Sequence, residues 1–129
     1  MRVITGTARG RRLKELEGME TRPTTGKVKE SLFSIIQFDI EGRRVLDLFA
    51  GTGQLGIEAL SRGARQCVFI DQRNDAVKLI RENLDVCGLT DRAVVRSGDA
   101  MAYLKSGEKF DLIFLDPPYA SGLLVKALE

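Results

Sequence analysis

Val45-Leu46-Asp47-Leu48-Phe49-Ala50-Gly51-Thr52-Gly53-Gln54-Leu55-Gly56 is the stretch on which the fold of this chain turns. The apolar run from Arg44 to Phe49 predicts a strand, the glycines after it a turn, and Leu55 to Arg62 a helix closed by Gly63. Glycines let the main chain come close to a ligand at the carboxyl end of a parallel strand, where open α/β sheets bind their ligands.

Downstream the same unit repeats. Gln66 to Ile70 predicts a second strand, and Arg73 to Val86 a helix with Ala76, Val77, Ile80 and Leu84 on one face, closed by Gly88. Ala93 to Arg96 predicts a third strand, Ala100 to Lys105 a short helix and Asp111 to Leu115 a fourth strand. Strands alternating with helices at this spacing make βαβ units, hence an α/β, Rossmann-like, doubly wound and mostly parallel sheet over residues 43–129. Ser121 to Glu129 reads as the opening of another helix. The sheet is therefore expected to be truncated after its fourth core strand, with an apolar edge through which the isolated chain is marginally stable or self-associates.

Upstream, residues 1–42 are expected to form a basic arm and a helix. Val3 to Thr7 alternates weakly as a short strand, and Thr24 or Thr25 is placed to cap a helix carrying Val28, Leu32, Phe33, Ile35 and Ile36. Net charge is only +2, yet residues 1–30 hold eight Lys and Arg against four Glu, while the rest is slightly acidic. A basic arm on a near-neutral body is an electrostatic footprint for nucleic acid, with a solvated face as the plainer alternative.

Composition removes whole classes of chemistry. The 129 residues contain no histidine and two isolated cysteines, Cys67 and Cys87, so serine–histidine or cysteine–histidine catalysis and a Cys/His zinc site are excluded. No metal is expected, and the cysteines read as small core residues. No apolar run approaches the roughly 18 residues of a membrane span, and no signal peptide is visible, so a cytoplasmic protein without a membrane partner is expected.

Gly51-x-Gly53-x-x-Gly56, with Asp71 twenty residues after Gly51, literally matches a dinucleotide fingerprint and would serve a nicotinamide-dependent oxidoreductase. Asp47 argues against that reading. A pyrophosphate is anionic, whereas the methionine part of S-adenosylmethionine carries an ammonium and a sulfonium that an acid near the turn would suit. The plainer role for Asp47 is to cap backbone amides. Asp71, at the end of the second strand, can accept both hydroxyls of a ribose. Asp99, after the third, can contact an adenine amine, cap the following helix, or do both.

Asp116-Pro117-Pro118-Tyr119, directly after Leu112-Ile113-Phe114-Leu115, is the most specific feature. An exocyclic amine of a base is a poor nucleophile because its lone pair is delocalised into the ring. Asp116 and the Pro117 carbonyl can each accept one of its N–H groups and aim the lone pair at a methyl donor. The two prolines stiffen that geometry, and Tyr119 offers a face for an extruded base.

With Arg2-Val3-Ile4-x-Gly6-x-x-Arg9-Gly10-Arg11-Arg12-Leu13, Arg22-Pro23-Thr24-Thr25 and Lys29-Glu30-x-Leu32-Phe33 added to these two motifs, the chain resembles the bacterial methyltransferases that modify the exocyclic N2 of a guanine in 16S ribosomal RNA. The resemblance implies a class I methyltransferase fold and S-adenosyl-L-methionine as cofactor. It implies cofactor contacts from Asp47, Phe49, Ala50, Gly51, Thr52, Gly53, Asp71, Gln72, Asp99, Ala100 and Asp116, with Asp116, Pro117, Pro118 and Tyr119 positioning the amine. RNA contacts are then expected from Arg2, Arg9, Arg11, Arg12, Arg22, Lys27 and Lys29. The implied partner is ribosomal RNA in the small subunit or its assembly intermediate, met by a monomeric full-length protein. Adenine N6 in RNA or DNA is the nearest competing substrate, and a non-catalytic RNA-binding protein is a further alternative.

Overall fold

The computed structural model describes residues 2–15, 26–48, 50–115 and 124–127. Along the chain run α1 (Gly26–Ile36), β1 (Arg44–Leu48), α2 (Gln54–Ser61), β2 (Gln66–Asp71) and α3 (Asn74–Cys87). A 3-10 turn (Thr90–Arg92), β3 (Ala93–Ser97), α4 (Ala100–Leu104), β4 (Leu112–Leu115) and β5 (Leu124–Ala127) complete the described elements. The sheet has the order β3-β2-β1-β4-β5. The first four strands are mutually parallel, and β5 joins β4 antiparallel. This is an α/β, Rossmann-like sheet of four parallel strands, and the edge of β4 that was expected to stay open is covered by β5. Each predicted strand and helix between residues 44 and 115 is present to within one or two residues at its ends.

The winding positions the site. From β1 the chain steps through β2 to β3 and then returns to β4 on the other side of β1. The direction therefore reverses between β1 and β4, and such a reversal opens a crevice at the carboxyl ends of the strands.

Alternation along β1 divides the core. Val45 packs with Phe69, Phe114 and the apolar faces of α1, α2 and α3, while Leu46 and Leu48 pack with Val68, Ile70, Ile113 and Ala100 on the α4 side. Both faces of the sheet are thus covered, as near-continuously apolar strands require. Gly56 lets α2 lie close to β2, since a Cβ there would come within 2.4 Å of Phe69 and 2.7 Å of the Cys67 sulfur. Cys67 is a buried core residue whose thiol is pushed up by that burial.

Two expectations are corrected. Leu124–Ala127 is a strand and not the opening of a helix. Short apolar runs suit either state, and here the open hydrogen-bonding edge of β4 takes the segment in register, Leu112 opposite Ala127 and Leu115 opposite Leu124. Residues 3–7 form no strand; they belong to a tight double-back joined by a single bridge between Arg2 and Arg12. Gly10 donates its N–H to Val3 and Val3 donates to Arg11.

That double-back is docked on the domain. Val3, Ala8 and Leu13 enter the same core cluster as Phe33, Ile40, Val45 and Phe114. Gly6, at φ +94°, faces the Ser61 carbonyl so closely that a Cβ would lie 1.8 Å from the oxygen. Only glycine fits both the conformation and the gap.

Candidate active site

At the carboxyl end of β1 the main chain turns through Gly51 (φ 62°) and Gly53 (φ 81°), both in the left-handed region. Ala50 donates its N–H to the Ile70 carbonyl and Gly53 to that of Ala50, and α2 starts directly after Gly53. Ala50, Gly51, Thr52 and Gly53 are all buried.

Three acids on or just after β1, β2 and β3 are held in different ways. Asp47, 2% exposed, accepts the Gly56 N–H at 3.0 Å. Its carboxylate thus lies at the first turn of α2, the place a phosphate takes in a dinucleotide turn, and satisfies one of the helix's orphan donors. The backbone-capping contact considered above is present. Asp71, half-buried at the end of β2, accepts the Gly51 N–H at 3.0 Å with Oδ2 and the Arg73 N–H at 2.9 Å with Oδ1. It joins the glycine turn to the start of α3 while remaining at the rim. Asp99, exposed, caps α4 by accepting the Met101 N–H at 3.1 Å. Beside these, Gln72 is exposed and Ala100 is buried.

The strand register brings the candidate positions to one level. Leu48 is opposite Leu115 and Ile70 on its two sides, and Asp71 is opposite Ser97. The glycine turn, Asp71 and the segment leading to Asp99 therefore leave neighbouring strands at the same edge, together with Leu115, whose chain successor is Asp116. Phe49, Asp116, Pro117, Pro118 and Tyr119 lie outside the described residues, as do Arg22 and the capping candidates Thr24 and Thr25.

Of the expected RNA contacts, Arg2, Arg9, Arg11, Arg12 and Lys27 are exposed. Lys29 is not among them, which corrects that expectation. It is 1% exposed, 3.2 Å from the Glu58 carboxylate, and donates to the Arg2 carbonyl at 3.1 Å. Burial pulls its ammonium below the ordinary lysine range against the opposing pull of Glu58. The buried face of α1 is Lys29, Phe33 and Ile36, so Val28 and Ile35 from the expected apolar face are turned to solvent, at 48% and 79% exposure.

Sequence reading overlooked the partner. Glu58, fully buried within the apolar α2, accepts the N–H of Ile4 at 2.8 Å and of Thr5 at 3.0 Å, and pairs with Arg62 at 2.9 Å. Ser61 adds its Oγ as acceptor for the Ala8 N–H and as donor to the Thr5 carbonyl. A lone acid in an apolar helix, four residues before an arginine, was the available signal. Asn83 on α3 was also overlooked: it bonds both Lys14 and Thr52.

Comparison with known proteins follows the same lines. A family described as Conserved hypothetical protein 95 matches residues 1–129. YlbH of Bacillus subtilis is 50% identical over 123 residues, covering 92% of this chain and 67% of that protein. The chain belongs to this family. Ribosomal RNA small subunit methyltransferase D of Haemophilus influenzae is 36% identical over 133 residues, covering all of this chain and 69% of that protein. The solved structure of yhhF from Escherichia coli superposes with a TM-score of 0.84 at 38% identity, covering 96% of this chain and 67% of that one. The chain thus spans about two thirds of the length of these relatives, and its family is that of bacterial rRNA methyltransferases. Among the described residues no helix is long and apolar enough to cross a membrane, and no group of three metal-ligating side chains occurs.

Proposed function

We propose that this chain is the cofactor-binding and catalytic part of an S-adenosylmethionine-dependent methyltransferase that modifies the exocyclic N2 of a guanine in 16S ribosomal RNA. The observation that carries the reading is the common level of the glycine turn, Asp71 and the end of β4 at the sheet's point of reversal. Relatives named ribosomal RNA small subunit methyltransferase D support the substrate class.

The residues present fit such a cofactor. Gly51 and Gly53 give the turn its left-handed conformation, and at Gly53 a Cβ would also press on Ile80 at 3.2 Å, so glycine there is set by packing as well. When bound, the cofactor supplies an electrophilic methyl group on a sulfonium. Asp71 accepts ribose hydroxyls, Asp99 stands near the adenine side, and Asp47 holds the turn from below as a buried negative charge. With that carboxylate already on the Gly56 N–H, a dinucleotide pyrophosphate is disfavoured. Asp116 and the Pro117 carbonyl accept the two amine N–H groups, Pro118 stiffens the pair, and Tyr119 stacks on the base. Catalysis then rests on orientation. Residues 1–42 act as the RNA-contacting element through Arg2, Arg9, Arg11, Arg12, Arg22 and Lys27. The protein works in the cytoplasm on the small subunit or an assembly intermediate.

The test is methyl transfer from labelled S-adenosylmethionine to small ribosomal subunits that lack the modification, followed by nucleoside mass spectrometry. Label in N2-methylguanosine is expected, and label in N6-methyladenosine would replace guanine by adenine. Asp116→Ala is expected to lower transfer at least about a hundredfold, as removal of an orienting group does, while cofactor affinity changes little. Loss of binding in that variant would mean that residue 116 serves the cofactor instead.

A further inference from the structure

Asn83 is 1% exposed in the middle of α3, on a face that otherwise presents Ala76, Ile80 and Leu84 to the core. A polar amide there is costly unless its hydrogen bonds are made. They are made, and to two separate segments. Oδ1 accepts the Lys14 N–H at 2.8 Å, and Nδ2 donates to the Lys14 carbonyl at 3.2 Å and to the Thr52 carbonyl at 3.0 Å. The donor pattern fixes the amide's orientation, because only the NH2 end can serve two carbonyls.

The two segments have different duties. Thr52 stands between Gly51 and Gly53 in the glycine turn, with both neighbours in the left-handed region. Lys14 lies near one end of the basic arm, whose other end is held by Glu58 and Ser61. A rigid planar amide cannot follow Thr52 in one direction and Lys14 in another. If the turn relaxes, Nδ2 loses the Thr52 carbonyl, and its grip on Lys14 tilts with it.

We propose that Asn83 is a positioning residue that couples the glycine turn to the basic arm, so that occupancy of the turn orders the arm and arm docking tightens binding at the turn. This rests on the reading of the glycine turn as the cofactor site. By linkage the two effects are equal in size. With one buried hydrogen bond at stake, each is about threefold to tenfold.

The experiment is amide hydrogen exchange over residues 3–14, read by mass spectrometry with and without saturating S-adenosylhomocysteine, alongside calorimetric affinity. In the native protein the ligand is expected to slow arm exchange about threefold to tenfold. In Asn83→Ala the ligand still binds, more weakly by a similar factor, and arm exchange no longer responds to it. A structural role alone would lower arm protection equally with and without ligand. Should Asn83→Ala fail to fold, Asn83→Ser makes the same comparison, since its short, uncharged side chain cannot span the Thr52 and Lys14 carbonyls together. Binding to the native protein without any arm response, or a response of native size in the variant, overturns the coupling alone. Absence of binding to the native protein overturns the cofactor reading and the coupling with it.

Discussion

Acids are placed at two regions of this molecule under opposite terms. Where the arm meets α2, Glu58 is fully buried and its two oxygens are taken by two backbone amides, an ammonium and a guanidinium. At the rim of the sheet, Asp71 and Asp99 hold backbone N–H groups too, yet remain accessible. The first arrangement spends its carboxylate on joining chain segments and has no capacity left for a ligand. The second shapes a turn and still offers oxygen to solvent, as a binding site must. An acid's neighbours, more than its presence, decide whether it is architecture or chemistry.

The largest expected effect breaks the first region. Glu58→Ala leaves the Lys29 ammonium buried without its partner and orphans two arm amides. Urea unfolding is expected to show a loss of about 3–5 kcal/mol, the usual cost of breaking a buried ion pair from one side. A loss below about 1 kcal/mol would place this cluster among ordinary surface pairs and remove the contrast. Asp71→Ala addresses the second region. Affinity for S-adenosylhomocysteine by calorimetry is expected to fall about tenfold to a hundredfold, the worth of one or two hydrogen bonds to a charged group, with stability changed by no more than about 1 kcal/mol. If stability drops and affinity does not, Asp71 belongs with Glu58.

The smallest effect sharpens the comparison through pH. Because burial lowers the Lys29 pKa, the side-chain resonances of this residue are expected to titrate below the ordinary 10.5 in a carbon-detected NMR experiment. In the window between the lowered value and 10.5 the folded chain binds fewer protons at Lys29 than the unfolded chain. Its contribution to stability therefore rises with pH through that window and is least favourable below it. An inflection at or above 10.5 would mean that Glu58 outweighs burial.

What could be read from the sequence divides along similar lines. From Arg44 to Leu115 each element announces itself locally: apolar runs of strand length, helices with a regular face, glycines at their ends. The same pattern places the glycine turn and Asp71 at strand ends of a doubly wound sheet, while the strand order, with its reversal between β1 and β4, is a matter of tertiary packing that the structure supplies. Lys29 could not be sorted from Lys27, because what buries it is a carboxylate far along the chain on another helix. The docking of residues 3–14 was equally hidden, since the arm is held partly by its peptide groups, which every sequence has, and partly by Val3, Ala8 and Leu13, whose spacing follows no helix or strand period. Leu124–Ala127 is too short for periodicity to separate strand from helix, and the available edge of β4 decided it.

The way Glu58 and Ser61 hold the arm carries a consequence for its evolution. Their contacts are to the peptide groups of Ile4, Thr5 and Ala8, while Arg2, Arg9, Arg11 and Arg12 project outward. Anchorage and outward charge are thus written in different atoms of one segment. The outward residues can be exchanged, by drift or by design, with the mooring of the segment left intact.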